Sequence, residues 1–352
     1  VIEQPAHVQA IPGYKPGKSK VDGWDGPIRK LSSNENPYPP LPSVVAAIAD
    51  SIGHMNRYPD MTAPELTEML ARRYGVTTNQ IGFGCGSVEV AAQLIRAFAG
   101  AGDEVVYAWR SFEAYPILVR SAGATPIEVP LTADLRHDLP AMLAAITDRT
   151  RVIFACTPNN PTGTVIDHEE LRAFIAQVPS RILVVVDEAY SHFQDDPRAA
   201  RGIDLFREFD NVAVLHTFSK AYGLAGLRLG YAVVRDDVID GLRKVALPFG
   251  VSDVAQAAGV ASLRAEAELQ ERVDTLIGER ARVTEALQSA GWPVTVSQAN
   301  FVWLQLDDET DAIQARLEAR GVITRPFSGD GIRITIADPE ANDALLTELG
   351  IR

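Results

Sequence analysis

The sequence predicts an α/β fold, a large domain with a mostly parallel sheet covered by helices plus a smaller α+β domain. Three observations carry that expectation. The chain has 352 residues, which makes about two domains at roughly 150 residues each. Five short apolar runs, at 103–107, 152–156, 182–186, 212–215 and 231–234, are rich in β-branched residues and bounded by Gly, Pro, Asn or Asp. Such runs suit strands buried on both faces. Amphipathic stretches such as 168–178 lie between them, and this alternation is what helices packed over a sheet produce.

Taken in order, residues 1–30 are rich in Gly, Pro and Lys and lack apolar periodicity. They read as an extended N-terminal arm that needs a surface to lie against. Residues 44–250 hold the strand-helix alternation and form the large domain. Residues 31–43 and 251–352 make the small domain. After Pro248-Phe249-Gly250 the stretch 252–290 has only Gly259 and Gly278 as weakening residues, so one long helix is expected there. Strands at 300–304 and 332–336 then flank a helix over 310–320. No internal repeat or low-complexity stretch interrupts this order.

Composition narrows the function. An apolar fraction of 46% with 22% charged residues is that of an ordinary globular protein. A net charge of −13 repels phosphate backbones, so nucleic acid is not the expected partner. No uninterrupted apolar run approaches the roughly eighteen residues that span a bilayer, and residues 1–11 lack a signal-peptide pattern. Cys85 and Cys156 lie far apart with no CxxC spacing. A cytoplasmic protein with free thiols is expected. His54, His137, His168, His192 and His216 show no metal-ligand spacing and read as solvated or capping residues; no metal is expected. The glycines at 82, 84 and 86 lack the Gly-x-Gly-x-x-Gly spacing of dinucleotide sites.

Open α/β sheets bind ligands beyond the carboxyl ends of their strands. After the run at 152–156 comes Thr157-Pro158-Asn159-Asn160-Pro161-Thr162-Gly163. After 182–186 comes Asp187-Glu188-Ala189-Tyr190, and after 212–215 comes His216-Thr217-Phe218-Ser219-Lys220, with Arg228 eight residues further on. Singly, each has an ordinary explanation as a turn, a cap or a surface pair. Together they deliver to one sheet edge the groups that hold an aromatic, phosphorylated aldehyde.

These three segments resemble the cofactor motifs of the pyridoxal-phosphate aminotransferases of fold type I, and the resemblance covers nearly the whole chain. Ser33-Asn34-Glu35-Asn36-Pro37, Arg57-Tyr58-Pro59-Asp60 and Gly331-Ile332-Arg333-Ile334-Thr335 are similar to the branch of histidinol-phosphate aminotransferases and actinobacterial aromatic amino acid aminotransferases. The resemblance implies pyridoxal 5′-phosphate as cofactor, with Lys220 as the Schiff-base lysine and proton carrier. It places Asp187 on the pyridine nitrogen and Tyr190 and Asn160 on the ring's 3-oxygen. Phosphate ligands would be the N–H groups of Gly86, Ser87 and Val88 at a helix start, with Thr217, Ser219 and Arg228. Arg333 and Arg325 would meet anionic groups of the substrate, with Asn36 and Asn160 nearby. The resemblance further implies a homodimer with shared sites. Tyr58 would reach the partner's cofactor, and the arm with Tyr14 would lie near the partner's site.

Two departures stand out. Val88 occupies a position that is acidic in many relatives, which removes one polar contact and keeps the backbone donor. Phe112 stands where many relatives stack a tyrosine; it can stack but cannot donate. Only residues 326–332 separate Arg325 from Arg333, a short link that favours the aromatic branch. The expected reaction therefore moves an amino group from phenylalanine, tyrosine or tryptophan to a 2-oxo acid, 2-oxoglutarate first. Histidinol phosphate is the alternative donor.

Overall fold

The computed structural model describes residues 2–351 other than 15, 16, 19 and 22. Its centre is a seven-stranded sheet: β1 (Ile81–Cys85), β2 (Glu104–Trp109), β3 (Thr125–Pro130), β4 (Thr150–Cys156), β5 (Leu183–Asp187), β6 (Val212–Thr217) and β7 (Leu229–Val233). The spatial order is β1-β7-β6-β5-β4-β2-β3. Strands β2 to β6 run parallel, whereas β7 is antiparallel to both β6 and β1. The β6–β7 connection holds one short turn at Ala225–Leu227 and no crossover helix, so the chain returns in the opposite direction.

Alternate side chains supply two cores. Val105, Tyr107, Phe154, Val185 and Leu215 pack with Val90, Leu94 and Ile95 of the helix Ser87–Phe98. Val106, Ile153, Val184, Val186 and Val214 pack on the other face with Leu171, Phe174 and Ile175 of the helix His168–Ile175. Two strands had no clear sequence signal. Strand β1 contains Gly82 and Gly84, which weaken strand propensity, and β3 carries two prolines, tolerated because it is an edge strand.

A second sheet, antiparallel in the order β9-β10-β8, comprises β8 (Phe301–Gln305), β9 (Arg325–Phe327) and β10 (Gly331–Thr335). The tip of the expected arm is itself paired: Arg29–Lys30 forms a parallel ladder with Val322–Ile323. Leu31 continues it through its N–H to the Ile323 carbonyl, 2.7 Å. This carries Ser32, Ser33 and Asn34 along the small sheet.

The long helix expected over 252–290 is two helices, Asp253–Arg264 and Glu266–Ser289, broken at Ala265 (φ −101°, ψ 28°). They serve different partners. The first packs on the helices Pro42–Ser51 and Pro64–Tyr74, the second on Pro339–Glu348. The histidines also differ from expectation, since His137 and His216 are buried. His216 stacks between Tyr74 and Tyr231, and burial holds it neutral, with a pKa pushed down to about 3. Among the described residues no helix is long and apolar enough to cross a membrane.

Candidate active site

Parallel pairing of β4, β5 and β6 aligns their carboxyl ends, with Cys156 in register with Asp187 and Asp187 with Leu215. The motif residues that follow them converge on a cavity of about 210 Å³ between the two sheets. Asn160, Asp187, Tyr190, Thr217, Ser219, Lys220, Arg228, Arg325 and Arg333 all line it, as do Ser87, Val88, Phe112 and Tyr14.

Lys220 Nζ donates to the carbonyls of Ser33 and Asn34, both at 3.3 Å. Burial, then the positive charges of Arg333 and Arg228, pull its pKa down to about 7 against the opposing pull of Glu35. Near neutral pH an appreciable fraction of the amine is therefore unprotonated, the form that attacks a carbonyl and accepts a proton. Asp187 is buried, and no cationic side chain pairs with it among the described residues. Its Oδ2 accepts from the Tyr115 hydroxyl at 2.6 Å and its Oδ1 from the Ala189 N–H at 3.2 Å. Burial raises its pKa while those two donors work the other way. A ligand cation placed at Asp187 would keep it ionised. Tyr190, whose hydroxyl accepts from Asn34 Nδ2 at 3.0 Å, sits opposite.

One end of the cavity is built by the start of the helix Ser87–Phe98, where the first N–H groups have no intrahelical acceptor. Gly86 caps it at φ +82°, and a Cβ there would collide with the Arg228 guanidinium. One expected donor is lost, because the Gly86 N–H turns back to the Gly84 carbonyl at 2.7 Å. Ser87, Val88, Thr217, Ser219 and Arg228 line this end of the cavity, and Arg228 Nη1 donates to Ser219 Oγ at 3.4 Å.

Arg333, on β10, is 7% exposed. It donates to Asn160 Oδ1 (2.6 Å) and to the Ser32 carbonyl (2.7 Å). Its Nε is buried without a partner, and no carboxylate pairs with it among the described residues. The side chain is charged, in the cavity, and incompletely satisfied. Arg325 differs: its Nη2 and Nε donate to Glu113 Oε2 at 2.8 and 3.2 Å.

Comparison with known proteins settles the family. The model for aminotransferase class I and II matches residues 27–349. This chain belongs to the class I and II aminotransferases. It is 55% identical over 342 residues to the aromatic amino acid aminotransferase of Streptomyces avermitilis, covering 97% of this chain and 95% of that protein. The enzyme of the same name from Cutibacterium acnes is 53% identical over 97% of this chain and 96% of its own length. Among solved structures, the histidinol-phosphate aminotransferase of Sinorhizobium meliloti in complex with pyridoxal-5′-phosphate superposes with a TM-score of 0.88. It is 28% identical and covers 97% of this chain and 95% of its own. A Thermus thermophilus aspartate aminotransferase mutant shares the fold, with a TM-score of 0.84 at 22% identity over 99% of both chains.

Two expected site residues of this aminotransferase sit otherwise than the resemblance implied, and a third lies outside the cavity of its own chain. Asn36 spends its amide on the carbonyl of Ala221 at 2.9 Å and that of Lys220 at 3.4 Å, so it fixes the lysine's backbone and does not line the cavity. Tyr14 lines the cavity of its own chain. Tyr58 does not; it is 80% exposed and stacks on Phe249 at 4.5 Å. Sequence reasoning also passed over Asn34, Glu113 and Tyr115. Asn34 lies in a quoted motif without a role of its own. Tyr115 and Glu113 flank the quoted Phe112, and nothing local marks the distant partners each one meets.

Proposed function

We propose that this aminotransferase uses pyridoxal 5′-phosphate to transfer the amino group of an aromatic amino acid to 2-oxoglutarate. The observation that carries the proposal is Arg333, a buried guanidinium in the same cavity as Lys220 and met only by neutral oxygens. A ligand carboxylate matches its fork. The aromatic donor is supported by the 50–55% identity to relatives that bear that substrate in their names. Histidinol phosphate fits less well. It would bring a phosphate that is dianionic above its second pKa, and the second guanidinium that could serve it is taken by Glu113.

The residues present fit the cofactor. Ser87, Val88, Thr217, Ser219 and Arg228 would hold the phosphate, Phe112 would stack on the ring, and Tyr190 and Asn160 would meet its 3-oxygen. When bound, the cofactor supplies an aldehyde that takes up the amino group and a ring that accepts electrons. The chain's own groups do the rest. Asp187 keeps a proton on the ring nitrogen, with Tyr115 fixing the carboxylate. Lys220 takes the Cα proton of the donor and returns it at C4′. Arg333 orients the donor carboxylate so that the Cα proton faces the lysine.

Tyr58 finds its use in a homodimer. It stands with exposed Met55, Met61, Leu247 and Phe249, some of them around a groove of about 550 Å³, an apolar surface that a second copy would cover. From there Tyr58 reaches the partner's phosphate. A cytoplasmic location suits the two free cysteines. The function is tested by adding phenylalanine without an acceptor to the cofactor-loaded enzyme. One equivalent of phenylpyruvate per site is expected, and none would refute the reaction.

A further inference from the structure

Arg325 and Arg333 are direct cross-strand partners in the antiparallel β9–β10 ladder. Side chains of paired residues lie on one face, and like charges set opposite each other repel. Glu113 answers that repulsion for Arg325 alone. It comes from the other domain, at the residue before the helix Ala114–Ser121, and reaches across the cavity mouth to the guanidinium. The pair is well screened from solvent, with side-chain exposures of 13% for Arg325 and 31% for Glu113. Phe327, whose ring lies 5.8 Å from the Arg325 guanidinium carbon, adds aromatic surface beside the pair.

We infer that Glu113 is a specificity-determining residue of this aminotransferase: by neutralising Arg325 it turns the wall of the substrate cavity beside Arg333 from cationic to neutral, which favours an aromatic end over an anionic one. A substrate held by Arg333 lies beside that wall, because the two arginines are cross-strand neighbours. An aromatic ring there meets a neutral ion pair. A distal carboxylate or phosphate meets a guanidinium already occupied, and must compete with Glu113 for it. The acceptor, 2-oxoglutarate, is therefore bound against this competition, while the aromatic donor is not. The inference rests on the proposed amino-acid aminotransferase site and assigns its donor selectivity.

The test is a charge series at the wall. Wild type carries a net charge of zero there, Glu113→Gln leaves +1, and Arg325→Met leaves −1. Gln keeps an acceptor for Arg325, so its guanidinium stays in place. Two unreactive acids, glutarate and 3-phenylpropionate, are titrated calorimetrically into the cofactor-loaded enzyme of each form. The ratio of their Kd values removes effects common to both. Glu113→Gln is expected to shift the ratio toward glutarate by about tenfold, roughly 1.4 kcal/mol, and Arg325→Met to shift it the other way. The kcat/KM values for 2-oxoglutarate relative to phenylpyruvate should follow the same order. A ratio that does not move, or moves in one direction in both variants, overturns the inference while leaving the site reading intact. If 3-phenylpropionate binds none of the three forms, the site reading fails and the inference falls with it.

Discussion

Arg333 and Arg325 sit side by side on adjacent strands, line one cavity, and are provided for in opposite ways. Arg325 has a protein carboxylate. Arg333 is more deeply placed, receives only the Asn160 and Ser32 oxygens, and keeps an unpartnered Nε. Burying a charge without a counter-charge is costly, so a fold that does this at one of two neighbouring arginines has kept that one for a ligand. The same contrast separates their effects on the reacting lysine. Arg333 is among the causes of the lowered Lys220 pKa, and Arg325 is not.

The comparison breaks first if the cavity is not the reacting site. Lys220→Ala should reduce turnover about 10⁴-fold, the upper end of what a positioned proton carrier contributes. Mixing Lys220→Ala with Tyr58→Ala subunits should then restore about a quarter of wild-type activity, because random pairing gives half the dimers one intact site. No recovery after verified subunit exchange would place Tyr58 outside the partner's site.

A direct contrast between the two arginines gives the next effect. Arg333→Met should raise KM for phenylalanine about a hundredfold, near the 3 kcal/mol expected for losing a buried charge-assisted contact. Arg325→Met should leave that KM within a few-fold. The pH dependence separates them again. Lysine reacts when neutral, that is, above its pKa. With the cationic Arg333 gone, the Lys220 pKa rises from about 7, so the midpoint for capture of pyridoxal phosphate by the stripped protein moves to higher pH. Arg325→Met should not move it. A midpoint that stays put in Arg333→Met would show that Arg333 does not set the amine, leaving burial and Arg228 to lower its pKa.

Tyr115→Phe gives the smallest effect. It keeps the ring, stacked on Phe154 at 4.6 Å, and removes the donor to Asp187. A hydrogen bond to a buried charge is worth about 1.5–3 kcal/mol, so pyridoxal-phosphate affinity measured by equilibrium dialysis should fall at least about tenfold. Unchanged affinity would make Tyr115 a packing residue only.

Much of this site was legible because the chemistry follows apolar runs. Asn160, Asp187, Thr217 and Lys220 each stand just after or at the end of a strand that its own composition announces, and parallel pairing brings those ends together. What was not legible depends on distant chain. Glu113 meets Arg325 across 212 positions and Tyr115 meets Asp187 across 72. Glutamate after an aromatic, or tyrosine in a helix, carries no local mark of either contact. The Gly86 N–H goes to the Gly84 carbonyl in a tight turn centred on Cys85, a backbone detail that the sequence does not fix. Ala265, a strong helix former, lies at a helix break whose two halves pack on different helices; propensity alone argues for continuity there.

The central claim, an aromatic amino acid donor held by Arg333 against a wall neutralised by Glu113, is tested most directly by kcat/KM with 2-oxoglutarate as acceptor, for phenylalanine and for histidinol phosphate on one cofactor-loaded preparation. A preference for phenylalanine of more than about tenfold, roughly 1.4 kcal/mol of transition-state binding, is predicted. The same preference for histidinol phosphate would contradict it, and would mean that a dianionic phosphate displaces Glu113 from Arg325 as the enzyme works.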